Sequence, residues 1–254
     1  MKRLLAVALA LMIASLMPMS AYATEEHAVN QDGPVISSEA EWWERFNSLT
    51  PDQQARINFR PNRGSRESIE ALPQETTARL EETHALYAAN LLPVGGGEPV
   101  YNYSYWEEHK EYANCYIYAM DVIASTYGGA DPGSYGGGQV TQETLTKSNV
   151  ASLIYTAIKN DGPYLGNGRG IRTATKSEKP GSNEYKIAIV VDPGWDYHFY
   201  VQNSDGYWSH KPGIDSCTRK DASGNSITDP GTADHDYGYA NYEKFCGYYI
   251  ITRK

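Results

Sequence analysis

Phenylalanine is scarce in this chain, with 4 residues against 21 tyrosines. An apolar ring with a polar tip suits half-exposed sheet faces and polar grooves that take sugar or peptide. Basic charge is also short: 22 Lys and Arg against 31 Asp and Glu leave a formal net charge of −9. A surface of that sign repels phosphate backbones and argues against a nucleic-acid partner. Neither CxxC nor HExxH spacing occurs, so no metal site is expected; Asp196, His198, Asp205 and His210 are ligand types without ligand spacing. The glycines at 136–138 and 166–170 lack a following Lys-Ser/Thr, which points to loops rather than phosphate cradles. Residues 221–229 alternate oxygen-bearing side chains as a calcium loop does. Gly224 is misplaced, however, and Thr232 stands where a bidentate Glu belongs, so a β-turn is expected. No internal repeat is present.

Long apolar runs are absent except at the start. Lys2 and Arg3 precede an uncharged stretch from Leu4 to Leu16, Pro18 breaks it, and Ala21-Tyr22-Ala23 supplies small residues for cleavage. This is the three-part pattern of a secretory signal over residues 1–23, too short for a bilayer span, with no Cys after it for a lipid anchor. Removal leaves 231 residues, enough for one sizeable core, and takes the charge from −9 to −11 by deleting two cations. A secreted or periplasmic location follows, with no stable membrane insertion after cleavage. Three cysteines, Cys115, Cys217 and Cys246, leave at least one thiol unpaired within an exported chain. If Cys217 and Cys246 pair, Cys115 is the free one; another pairing, or three buried thiols, are the alternatives.

Residues 24–36 are polar and aperiodic, as in a flexible N-terminus. Residues 37–97 read as helical. Ser38-Glu39-Ala40-Glu41 is a capping box opening a helix with Trp42, Trp43, Phe46 and Leu49, and Thr50-Pro51-Asp52-Gln53 is a second. A further helix is expected from Glu75 to Leu91. Residues 98–254 form the core. Irregular chain over 98–114 precedes a helix from the N-cap Asn114 to Tyr127, a Gly-rich loop over 128–138, and a helix capped by Ser148. Residues 162–183 read as a long loop. The period then changes: Tyr185–Val191 is a central strand, Tyr197–Gln202 and Tyr207–His210 flank the turn Asn203-Ser204-Asp205-Gly206, and Phe245–Thr252 is the last strand. Helices followed by an antiparallel sheet define an α+β class.

Cys115 follows an N-cap, where unpaired N–H groups and the helix dipole favour an anion, so a lowered thiol pKa is expected. Its own N–H also points toward a developing oxyanion. A nucleophile needs a base held by a third group. His198 lies on a strand, and His210 follows the hairpin. If residues 198 and 210 lie opposite, both imidazoles share a face and can touch; a one-residue slip separates them and makes Asp205 or Asp215 the partner.

The stretch Asn114-Cys115-Tyr116-Ile117-Tyr118-Ala119, then Asp196-Tyr197-His198-Phe199-Tyr200, then Trp208-Ser209-His210-Lys211-Pro212-Gly213, resembles the papain-like thiol hydrolases. The nearest branches are NlpC/P60 and CHAP, and the same words are similar to those of uncharacterised bacterial exported proteins. The resemblance covers roughly residues 100–254. It implies a papain-like core in which Cys115 attacks, His198 shuttles the proton and His210 orients it. The expected activity is cleavage of an amide bond in a cell-wall peptide, peptidoglycan or protein, with no cofactor. Tyr112, Asn114, Trp195, Tyr197 and Trp208 are the expected substrate-binding residues. The alternative is a non-catalytic exported domain whose Tyr and Trp side chains bind glycan or protein.

Overall fold

The computed structural model describes residues 35–63, 69–71 and 91–254. The signal segment, the polar stretch before Val35 and all but the last residue of the helix expected from Glu75 to Leu91 lie outside the described residues.

Helix α1, Glu39–Ser48, starts where the Ser38 side chain accepts from Glu41 N. The Glu41 carboxylate reaches back to Ser37 rather than Ser38, so the reciprocal half of the box is displaced by one residue. Helix α2, Pro51–Arg56, has the complete box between Thr50 and Gln53. Two short helices arise where none was expected: α3, Tyr103–Glu108, and α5, Gln142–Leu145, capped by Asn102 and Thr141. Helix α4 is only Cys115–Ala119, not the long helix expected to reach Tyr127. Asp121 takes a positive φ of 55° and ends it, and β-branched Val122-Ile123 continues as strand β2, Val122–Ala124, paired with β1, Ile69–Ala71. Helix α6, Val150–Asp161, has Asn149 rather than Ser148 at the N-cap position, without a side-chain capping bond.

The main sheet is five-stranded and wholly antiparallel, in the order β3-β7-β4-β5-β6. Its strands are β3 Arg169–Ala174, β4 Glu184–Asp192, β5 Asp196–Gln202, β6 Trp208–His210 and β7 Lys244–Arg253. The α+β class holds. Strand β3 falls inside the stretch expected to be a loop; it is an edge strand, half-buried, and so lacks a strong apolar signature. The turn expected at Asp221–Asp229 is a small hairpin closed by the bridge Lys220↔Ser226.

Period-two alternation decides what each sheet face meets. Ile187 lies opposite Val201, so odd-numbered residues of β4 and β5 share one face. That face carries the helices: Tyr185 Oη donates to Ala119 O, the Tyr116 and Phe199 rings are 5.5 Å apart, and Tyr155 of α6 stacks on Tyr249. The even-numbered face is covered by the long segment between β6 and β7, through Tyr237, Tyr242 and His235. Every residue of β5 is buried as a result. Residues 35–63 join the same core as residues 91–254, with Trp42, Ile57 and Phe59 fully or almost fully buried. Among the described residues no helix is long and apolar enough to cross a membrane.

Candidate functional site

Strand β6 pairs with β5 only as far as Tyr200↔His210. Beyond that point, among the described residues, the edge of β5 at Tyr197 and Phe199 has no strand beside it, and an unpaired ladder edge needs other partners. The N-terminus of α4 and the residues after α2 fill the gap. Cys115 Sγ donates to Tyr197 O at 3.8 Å, so the thiol occupies a ladder position. Asn58 sits beside it and works on both sides of the edge. Its Oδ1 accepts from Cys115 N at 3.1 Å and Gly213 N at 2.9 Å. Its Nδ2 therefore faces the other way, donating to Asp196 Oδ2 at 3.1 Å and to His198 Nδ1 at 3.1 Å. A Cβ on Gly213 would stand 2.1 Å from Ala55 O, which is why glycine lets this turn close against α2.

The orientation of Asn58 fixes the tautomers that follow. His198 Nδ1 accepts, so its Nε2 carries hydrogen and donates to His210 Nδ1 at 2.7 Å. His210 Nε2–H then donates to Lys220 O at 2.8 Å. Both rings are buried, neutral and fully hydrogen-bonded. Burial, with each other and His235 nearby, drives the His198 pKa well below its usual range, and burial brings His210 to about 4. The contact between the two histidines agrees with the sequence reading; their register does not. Residue 210 lies opposite 200, and the rings meet diagonally on one face. Asp205 and Asp215 are not the third partner, being paired with Arg219 and Arg56. That partner is Asn58, which sequence reading missed. Its only signal was a lone polar residue between the buried Ile57 and Phe59.

Several expectations are corrected here. The Cys115 thiol has no exposed surface, and burial followed by the negative Asp196 carboxylate pushes its pKa well above the usual value instead of lowering it; the Phe199 N–H pulls weakly the other way. Cys115 and His198 share no hydrogen bond. The helix bearing the thiol lies on the odd face of β5, and the imidazole projects from the even face. Trp195, Tyr197 and Trp208 line no open groove, since both sheet faces are covered and all three are fully buried. Trp195 packs on Trp42 at 5.0 Å, Tyr197 Oη donates to Asp131 at 2.7 Å, and Trp208 packs near Tyr248. Asn114 is an internal cap, accepting from Ile117 N and donating to Ala130 O. Tyr112 is exposed, on a short turn after α3. All three cysteines are free thiols, so the Cys217–Cys246 pairing does not form. Cys217 lies beside the outer edge of β6, next to the His210↔Thr218 bridge and near Tyr101 and Tyr118, whereas Cys246 is the extra residue of a bulge in β7, between Gly247 opposite Ile189 and Phe245 opposite Val190.

Two further buried charges hold the surroundings. Lys211 Nζ donates to the carbonyls of Lys110, Ala113 and Gly213 at 2.6, 2.5 and 2.8 Å. Three acceptors match the three hydrogens of an ammonium, although burial draws its pKa down to about 7. Asp196 accepts from Asn58 N, Phe59 N and Tyr242 Oη, and burial raises its pKa to about 6. Among the described residues no group of three or more His, Cys, Asp and Glu could hold a metal ion.

The neutral histidine pair has a pH consequence. The unfolded rings titrate near 6.5, and His210 in the fold at about 4. Between those values the unfolded chain binds a proton that the native site refuses. The contribution of His210 is therefore full above pH 6.5 and is lost as pH falls toward 4, at up to about 1.4 kcal/mol per pH unit. Asp196 works in the opposite sense, holding a proton in the native state between about 3.8 and 6, so the raw stability curve mixes both. The difference between wild type and His210→Asn isolates the histidine, because Asn Oδ1 still accepts from His198. We expect the stability advantage of wild type over His210→Asn, from urea unfolding at each pH, to shrink steadily from pH 6.5 to 4. A constant difference would contradict this.

Insoluble matrix shell protein 1 of Ruditapes philippinarum is 36% identical over 135 residues, spanning 53% of this chain and 76% of that protein. This chain belongs to the insoluble matrix shell protein 1 family. No family model and no solved structure matches it. In this family member the sheet edge plugged by Cys115 and Asn58 and the histidine pair behind it form one connected buried hydrogen-bond network.

Proposed function

We propose that this member of the insoluble matrix shell protein 1 family is an exported, non-catalytic domain that binds a glycan or protein partner in an extracellular setting, and that Cys115, Asn58, His198 and His210 form its internal scaffold. One observation carries this reading: both nitrogens of His198 are committed, to Asn58 and to His210, on the face of β5 away from the helix that bears the sealed thiol. General-base catalysis needs an imidazole within hydrogen-bond reach of the group it deprotonates, and nucleophilic catalysis needs a thiolate. Here the ring has no free nitrogen, and burial keeps the sulfur protonated. The relative named as an insoluble matrix protein supports the extracellular setting.

The test is direct. Purified wild type and Cys115→Ala are incubated with peptidoglycan sacculi and with casein, and released peptides and amines are measured. Neither protein is expected to release product above the blank. Release by wild type that disappears in Cys115→Ala would replace this reading with the papain-like hydrolase.

A further inference from the structure

A cleft of about 420 Å³ opens on the even-face side of the sheet, between the loop after β6 and the segment that carries Tyr237. Its volume is in the range of small-molecule sites. It belongs to none of the elements expected to bind substrate, and the buried His210, the outer ring of the histidine pair, lies behind its lining. We propose that this cleft binds an uncharged oligosaccharide. The inference rests on the non-catalytic reading above and gives that reading its ligand and its site.

Charge balance is the first argument. The walls carry Arg56 and Lys220 against Asp215 and Asp221, two cations and two anions, within a chain of net charge −9. A phosphate- or sulfate-bearing ligand would meet carboxylates as often as cations, and a polycation would meet the reverse; each leaves desolvated like charges facing one another. A sugar hydroxyl is donor and acceptor at once and pairs with guanidinium, ammonium and carboxylate alike. The second argument is the aromatic wall. Tyr237 is half-buried and is backed by the buried Tyr239, 5.8 Å away at an interplanar angle of 30°, so the Tyr237 ring is the part of the wall against which the C–H face of a pyranose can lie. The third is preorganisation. Tyr237 Oη is 3.3 Å from Tyr200 Oη and 3.5 Å from Nε2 of His210, which is itself locked between His198 and Lys220 O, so the tyrosine wall needs no ordering when a ligand enters.

Calorimetric titration of the mature protein with cellohexaose, chitohexaose and mannohexaose, with a heparin hexasaccharide and an uncharged hexapeptide as comparators, tests this. Saturable binding of at least one neutral hexasaccharide is expected, weakened about tenfold or more by Tyr237→Ala and abolished by Ala222→Trp, which fills the cleft from the opposite loop while leaving both tyrosines in place. Should Tyr237→Ala fail to fold, the Ala222→Trp variant carries the test. The proposal is overturned if no neutral hexasaccharide binds, if binding survives Ala222→Trp, or if the heparin fragment or the peptide binds more tightly than every neutral sugar. Failure of the non-catalytic reading registers separately, as product release in the sacculus and casein assay.

Discussion

Replacing Asn58 by alanine is expected to cost the fold about 3–5 kcal/mol, one of the two largest single-residue effects foreseen here. Four groups lose a partner at once: the N–H of Cys115, the N–H of Gly213, the Asp196 carboxylate and the Nδ1 of His198. All four are buried, so water cannot replace the amide without opening the sheet edge. At roughly 2–4 °C per kcal/mol for a domain of this size, the midpoint of thermal unfolding should fall by about 6–20 °C. Asn58→Asp is the informative companion. It keeps an acceptor for the two N–H groups but sets a second carboxylate against Asp196, and should be no better than alanine at neutral pH. A loss below about 1 kcal/mol for Asn58→Ala would mean that the amide merely decorates the edge.

The second large effect is expected at Asp161. Its carboxylate ends α6 and accepts from Gly133 N, Tyr135 N, Gly136 N and Tyr116 Oη, at 2.6, 2.8, 2.7 and 2.9 Å. The Gly-rich loop does form a cradle of N–H groups for an anion, but the anion is the protein's own side chain. Gly136 must be glycine for this, since a Cβ there would lie 2.0 Å from Asn160 O. Burial raises the Asp161 pKa while the four donors oppose it. Alanine at 161 strands three backbone N–H groups and a buried hydroxyl, an expected loss of about 4 kcal/mol or 8–16 °C in midpoint. Asn cannot rescue it fully, because its NH₂ would face donors. A stability near wild type for Asp161→Ala would show that the loop is held by other contacts.

Much of the sheet was legible in sequence. The apolar run at Tyr185–Val191, the turn at 203–206 and the final strand left clear signals because continuous β-branched runs and turn residues act locally. The contact between His198 and His210 was also legible, because residues on flanking strands of a short hairpin have few ways to avoid each other. What stayed hidden was the face. Both sides of β5 are covered, so no polar–apolar alternation marks which side meets the helices, and the parity that separates Cys115 from His198 left no trace. The Cys115 pKa was misjudged for a related reason: an N-cap position favours a thiolate only where the thiol is not sealed, and α4 presses its first residue onto the edge of β5. Asn58 was missed because its importance is long-range; its side-chain partners lie 57 to 184 residues away in sequence.

The measurement that bears most directly on the central claim, a protonated thiol built into a sheet edge, is alkylation of Cys115. Native protein is treated with iodoacetamide near neutral pH, quenched over time, and each cysteine is mapped by mass. Half-buried Cys246 should label first, and Cys115 should label only as fast as the whole domain unfolds, becoming prompt in denaturant. Prompt labelling of Cys115 in the native protein, with a thiol pKa below neutrality, would contradict the account.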